Sequence, residues 1–427
     1  MRIQDLNGKR ICILGYGREG SAMVQALEKF APDAEITIAD KNARVEIGTT
    51  KHRKQLGEGW LENLDTFDVL IKSPGIPPNP KLEARSSKLK TSTQIFLDTI
   101  AGSGATVIGV TGSKGKSTTA SLIHAILSSV TSYKLQATSY LVGNIGDPAI
   151  AHIADAKENT IFVIELSSYQ LMDLKTAPHI AVITSFFPEH LDYHGSLEAY
   201  REAKAKITKL QHEGDVVFYA DSEGVRPMIA ESKAKKISVT ANDAPVAVSE
   251  TRLIGEHNAG NIALAAAVAQ HLGVPDAAID AAIRSFTPLP HRLQSLGMHG
   301  GIEWIDDAIS TTPESAMAAM RALGDRVKAI ILGGQDRGND FTALGKAIDA
   351  SSIELVILLG QSGLRISKSI KNKKMIPVYV MSEGVAKVAQ MLTNGICLLS
   401  PASPSYDSYK NFEAKGDAFR EAVESLS

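Results

Sequence analysis

Short apolar runs alternate with stretches of helical period along the whole of this 427-residue chain. Brief apolar runs closed by Gly, Asp or Pro read as buried strands. Apolar residues recurring every three to four positions read as amphipathic helices. Their alternation predicts an α/β fold with largely parallel sheets. Three blocks separate. Residues 1–92 open with ICILG (11–15), a glycine turn and the helical SAMVQALEKF, then ITIAD (36–40) and DVLIKSPG (68–75). This is a βαβ opening, with Asp40 closing its second strand and the loop IPPNP (76–80) behind it. Residues 93–290 hold TVIGV (106–110), TGSKGKS, the helical TTASLIHAIL, then IFVIEL (161–166), IAVIT (180–184) and a long helix near 255–272. The block ends at a linker-like PLPHRLQ (288–294). Residues 291–427 repeat the pattern with GIEWIDDA (301–308), AIILGG (329–334), LVILLG (355–360) and ICLLSP (396–401). A sheet of that kind carries its sites at the carboxyl ends of its strands.

Composition narrows the function classes. Apolar residues make up 44% and charged residues 22%, as in an ordinary globular protein, so each block can bury a core. The formal net charge is −2, which implies no broad basic face and makes nucleic acid an unexpected partner. Cys12 and Cys397 sit inside apolar runs and read as inert core thiols, with no disulfide framework or zinc spacing. The N-terminal MRIQDLNGKR lacks an apolar signal core, and no apolar run is long enough to span a bilayer. A cytoplasmic setting with no membrane partner is the expectation.

Chemistry enters at TGSKGKST (111–118), between a strand and a helix. There, backbone N–H groups and a helix N-terminus cradle phosphate oxygens. Gly112 and Gly115 allow close backbone approach, and Ser113, Lys114 and Thr118 complete the turn. Lys116 reaches the β- and γ-phosphates and the Ser117 hydroxyl meets Mg²⁺. Val110 stands where the strict phosphate-loop spacing has glycine, so the plain alternative is a glycine turn ahead of an ordinary helix.

Gly15-x-Gly17-x-x-Gly20, with Asp40 about 20 residues on, satisfies a dinucleotide fingerprint. It equally fits a tight βα turn or a nucleotide-diphosphate pocket without redox chemistry, and the phosphate loop argues against hydride transfer. Glu165 closes the strand IFVIEL, where a carboxylate is placed to hold Mg²⁺. The stretch 185–207 carries His190, His194 and Lys204. Spacing alone does not tell His190 from His194 as a metal ligand, and Lys204 by itself reads as a surface lysine.

Taken together, GVTGSKGKST, ELSSYQL, HLDYHGSLEAYREAK, GEHNAGN, PHR, ILGGQDRGNDF and LSPASPSYDSYKNFEAKGDAF resemble, in order, the motifs of the Mur ligases. The last of them, with ELSSYQL and SPGI (73–76), is similar to the MurD branch. The resemblance covers all three blocks. It implies a Rossmann-like N-terminal domain that binds a UDP-substrate, a central ATP-binding domain of P-loop ATPase type, and a Rossmann-like C-terminal domain that brings an amino acid. It implies an ATP- and Mg²⁺-dependent ligase adding D-glutamate to UDP-N-acetylmuramoyl-L-alanine through an acyl phosphate, acting as a monomer on small molecules.

Carried onto this chain, the resemblance assigns Lys116, His190 and Lys204 to catalysis, with Ser117, Glu165, His190 and a carbamoylated Lys204 around the metal. Asn258, Asn261, Arg292 and Asp307 join the phosphate loop in holding ATP. Gly17, Arg18, Asp40, Ser73 and Asn144 fall to the UDP-muramoyl substrate, and Thr311, Arg337, Ser405 and Phe412 to glutamate. Three departures bear on the amino acid: Ile309 and Arg337 stand where relatives carry lysine, and Ser403 where cysteine is common. The alternatives are a related Mur-type or folylpolyglutamate synthase-like ligase using another amino acid such as L-glutamate, and an idle ATP-binding partner subunit.

Overall fold

The computed structural model describes residues 1–48, 51–130 and 137–426. Among them lie three sheets. The first comprises β1 (Arg10–Leu14), β2 (Glu35–Asp40), β3 (Arg53–Leu56), β4 (Val69–Lys72) and β5 (Leu89–Lys90), in the order β3-β2-β1-β4-β5. The second comprises β6 (Thr106–Thr111), β7 (Thr138–Gly143), β8 (Thr160–Glu165), β9 (Ile180–Ile183), β10 (Val216–Ala220) and β11 (Lys235–Val239), in the order β11-β10-β9-β6-β8-β7. The third comprises β12 (Gln294–His299), β13 (Ile302–Asp306), β14 (Val327–Leu332), β15 (Leu355–Leu358), β16 (Lys374–Pro377) and β17 (Ile396–Leu399), in the order β12-β13-β17-β14-β15-β16. The β12–β13 pairing is antiparallel and the other pairings of named strands are parallel.

Parallel sheets covered by helices on both faces need strands that are apolar throughout. Accordingly β4, β8, β9, β15 and β17 are buried at every residue. The contacts gather into two compact units. One joins Met1–Ala247 to Ala259–Ser285 and holds the first two sheets. The other joins Val248–Asn258 to Phe286–Ser427 and holds the third.

Several elements stop short of their sequence-based limits for local reasons. The strand expected at 68–75 ends at Lys72, because Ser73 N–H still bonds Leu14 O while Pro74 has no N–H to give. The helix expected from 255 begins at Asn258, since Gly255 has φ +99°. The 288–294 stretch is not a free linker. His291 is buried with its Nδ1 2.7 Å from Asp306 Oδ2, and strand β12 starts at Gln294.

Cys12 and Cys397 are buried, and burial pushes the Cys12 thiol up to about 12 and the Cys397 thiol up as well. Both are unreactive core groups. No helix among the described residues is long and apolar enough to cross a membrane.

Candidate active site

The phosphate loop leaves the carboxyl end of β6, the central strand between β8 and β9. Gly112 has φ +151° and a Cβ there would lie 2.1 Å from Thr184 Oγ1. Gly115 has φ +85° and a Cβ there would lie 2.4 Å from Asn261 Oδ1. Only glycine fits either place. The turn is pinned from behind: Ser113 N–H donates to Ser185 O at 2.9 Å and Lys114 N–H to Ser185 Oγ at 2.8 Å. The helix Lys116–Ser129 then begins with Gly115 as N-cap and no capping side chain. Its first-turn N–H groups and dipole therefore point positive charge out of the turn. Lys116 Nζ folds back to Ser113 O at 2.8 Å, at the mouth of that anion-binding turn.

Lys204 lies behind the loop on the helix Leu197–Lys209 and is 2% exposed. Its Nζ donates to Gly112 O at 2.7 Å and sits 4.9 Å from the centre of the Tyr200 ring. Burial, then the Lys116 cation, hold its ammonium well below the usual lysine range, against the pull of Glu189 and Glu165. Lys206, two residues on, points elsewhere and bonds Met172 O. Tyr200 OH pairs with Ser113 Oγ at 3.0 Å, tying the same helix to the loop a second time.

Register places Glu165 opposite Val110, at the level where the loop begins. It is 1% exposed, its Oε1 accepts from Asn144 Nδ2 at 2.8 Å, and its Oε2 has no hydrogen-bond partner. A buried carboxylate oxygen left without a partner is costly unless a cation meets it. Among the described residues no group of three or more His, Cys, Asp or Glu side chains gathers as a metal site. A Mg²⁺ site needs no such cluster, since the ion keeps several waters and takes one or two protein carboxylates plus phosphate oxygens. Glu165 and the Ser117 hydroxyl suit such a site.

The two histidines left open by spacing have different surroundings. His194 Nε2 lies 3.0 Å from Ser168 Oγ and stacks on Tyr169. His190 takes a left-handed backbone, φ 55°, and its ring lies 5.2 Å from Tyr169 and 6.0 Å from Tyr200.

At the carboxyl ends of β1, β2 and β4, Ser73 Oγ donates to Gly15 O at 2.9 Å. Asp40 accepts from Tyr16 N–H and Asn42 N–H at 2.7 Å each, so its carboxylate first of all shapes the glycine turn. Gly17 caps the helix Arg18–Phe30, and Arg18 bonds Gly146 O beyond β7.

Asn261, on the helix Asn258–His271, places its Oδ1 3.2 Å from Thr119 Oγ1. Asn258 Nδ2 donates to Ile254 O at 2.9 Å.

In the unit holding the third sheet, Asp307 follows β13. Ser400 Oγ and Leu293 N–H donate to it at 2.9 and 3.2 Å. Burial raises its carboxyl to about 6, against the Arg292 charge and these donors. Arg337 is exposed, its Nε on Gln335 Oε1 at 3.0 Å and its guanidinium over the Tyr406 ring. Ser405 is buried with no partner for its hydroxyl, Phe412 starts the last helix, and Thr311 lies just before the helix Pro313–Leu323. Ser403 accepts from Ser362 Oγ at 2.8 Å, a hydrogen bond that a cysteine would make poorly.

Two residues escaped notice in the sequence. Tyr200 was hidden because its partners are distant in the chain. Lys415 is 1% exposed, bonds Gly333 O at 2.8 Å, and is lowered to about 8 by burial. Its spacing of three from Phe412, on one helix face, was the available signal.

Comparison with known proteins gives the same family along the chain. A family model described as Mur ligase middle domain matches residues 110–248. A UDP-N-acetylmuramoyl-L-alanine–L-glutamate ligase of Salinispora tropica is 33% identical, covering 99% of each chain. A UDP-N-acetylmuramoylalanine–D-glutamate ligase of Streptococcus agalactiae is 32% identical, again over 99% of each. Among solved structures, UDP-N-acetylmuramate–alanine ligase MurC of Thermotoga maritima aligns with a TM-score of 0.62 at 19% identity, covering 98% of this chain and all of that one. The ADP complex of Thermotoga maritima MurF aligns with a TM-score of 0.61 at 16% identity, over 100% and 97%. These two likenesses show the shared three-domain α/β fold, and with sequence identity sustained from end to end, the chain belongs to the Mur ligase family.

Proposed function

We propose that the chain is an ATP-dependent ligase that joins glutamate to UDP-N-acetylmuramoyl-L-alanine through an acyl phosphate. The observation that carries this reading is the phosphate loop with Lys116 at its mouth and the partnerless Glu165 oxygen beside it. The first sheet binds the UDP-substrate through Gly17, Arg18, Asp40 and Ser73. The second binds ATP through residues 112–118 and Asn261. The third block brings the amino acid through Thr311, Arg337, Ser405 and Phe412, while Asn258, Arg292 and Asp307 are assigned to the nucleotide.

In this account the uncapped helix turn and Lys116 hold the phosphates and offset the charge that grows on the transferring group. The substrate carboxylate oxygen attacks the γ-phosphorus, and ADP leaves. The glutamate amine then attacks the acyl carbon, phosphate leaves with one former carboxylate oxygen, and the amide forms. Ser117, Glu165, His190 and Lys204 as its carbamate would hold Mg²⁺, which when bound would supply charge neutralisation on the phosphate oxygens. His190 is assigned as a ligand and not as a general base.

D-glutamate is the first reading of the amino acid. L-glutamate is the second, favoured by two relatives named for it at 33% and 34% identity and left open by the Arg337 and Ile309 departures. Phosphate release measured with each enantiomer decides: D-glutamate is expected to give the higher kcat/KM, and a preference for L-glutamate reverses the assignment.

Asp307 supplies a pH test. Its carboxyl is raised to about 6, so it is ionised above that pH and protonated below it. Only the ionised form is a pure acceptor for ribose hydroxyls. The KM for ATP should therefore rise as pH falls through about 6, and Asp307→Asn should flatten that rise at a weaker overall affinity. A wild-type profile that is flat from pH 5 to 8 would remove Asp307 from the nucleotide site.

A further inference from the structure

Glu165 is clasped by one residue at the end of the neighbouring strand. Asn144, directly after β7, donates its backbone N–H to Glu165 O at 3.0 Å and its side-chain Nδ2 to Glu165 Oε1 at 2.8 Å. The close approach depends on Gly143, with φ +104°, where a Cβ would sit 2.5 Å from Glu165 O. The turn is itself closed by Gly143 N–H on Asp147 O at 2.8 Å. Arg18, from the glycine turn of the first sheet, bonds Gly146 O in that same turn. One oxygen of the buried carboxylate is thus fixed by a neutral donor, and the other is the one without a partner.

We propose that Asn144 is a positioning residue for the metal site. It holds Glu165 so that Oε2 alone faces the cation, and it ties that orientation to a turn gripped by the UDP-substrate domain through Arg18. This rests on Glu165 being a magnesium ligand. It assigns Asn144 a task beyond contact with the muramoyl substrate. An amide suits it better than a carboxylate: it donates to Oε1 without adding a second negative charge. Outer-shell partners of ligating carboxylates typically contribute 10- to 100-fold in metal affinity.

The test uses Mn²⁺ as probe, with its binding to the full-length protein–ADP complex followed by electron paramagnetic resonance and no acyl substrate present. Asn144→Leu, which keeps the size and removes the donor, and Asn144→Ala serve as independent variants. Glu165→Gln is the reference, and the unfolding temperature without ligands is the folding control. Whichever Asn144 variant folds is expected to weaken Mn²⁺ binding about 10-fold or more. ADP affinity without metal should be unchanged, and adding Glu165→Gln should cause little further loss. Wild-type Mn²⁺ affinity in the Asn144 variants alongside a loss in Glu165→Gln overturns the positioning role and leaves the metal assignment standing. Wild-type affinity in Glu165→Gln as well overturns both.

Discussion

Lys116→Ala should lower substrate-dependent ADP formation about 10³-fold, close to 4 kcal/mol of transition-state stabilisation. The side chain lies where the uncapped helix turn already gathers positive potential, with its Nζ 2.8 Å from Ser113 O. In a site that excludes water, one fixed cation on the transferring phosphoryl group is worth far more than in solvent. The loss should appear mainly in kcat, because the demand for charge is greatest in the transition state. The fold should survive: Thr111, Ser113 and Lys114 are held by Thr184 and Ser185 independently of Lys116. Single-turnover measurement of ADP formation checks it, and an unchanged rate removes the phosphate-loop claim.

Lys204→Ala should lower activity about 10²- to 10³-fold, and formate, acetate or propionate should restore part of it. An ammonium buried beside Lys116 is a poor neighbour for a metal and a phosphate, and burial with that second cation drives Lys204 toward its neutral amine. A neutral amine is the form that attacks carbon dioxide. In the proposed carbamate the N–C bond would form, a proton would leave, and an anion would stand where the ammonium was. Repulsion from Lys116 would become attraction, and carboxylate-type oxygens would be available to Mg²⁺. A small acid diffusing into the space left by alanine supplies the same oxygens. Lys206→Ala, whose amine bonds Met172 O, should need no rescue. A well-folded Lys204→Ala enzyme that no acid restores argues against the carbamate.

What the sequence made legible follows from burial. The strands marked by apolar runs, among them β1, β4, β6, β8, β14 and β17, lie inside their sheets. Of the seven strands that the pattern leaves unmarked, six, β3, β5, β7, β11, β12 and β16, are sheet edges. An edge strand faces solvent along one side and often carries polar residues, as in RKQL and KKISV, so alternation and apolarity both fade. The seventh, β10, VVFYA, is the exception: it is an interior strand whose apolar residues carry the signal plainly. For the site, the phosphate loop was legible because its chemistry is local, one turn between one strand and one helix. The hold of Asn144 on Glu165, of Tyr200 on Ser113 and of Lys204 on Gly112 was not. Those pairs are brought together by parallel strand order and helix packing, and no local pattern encodes them.

The central claim is that the phosphate loop serves to energise a carboxylate. It is tested most directly by preparing UDP-N-acetylmuramoyl-L-alanine with ¹⁸O in the alanine carboxylate and analysing the phosphate released in the presence of ATP, Mg²⁺ and glutamate. An acyl phosphate requires one labelled oxygen to leave on each phosphate. Phosphate free of label, at a normal rate of amide formation, would contradict the account.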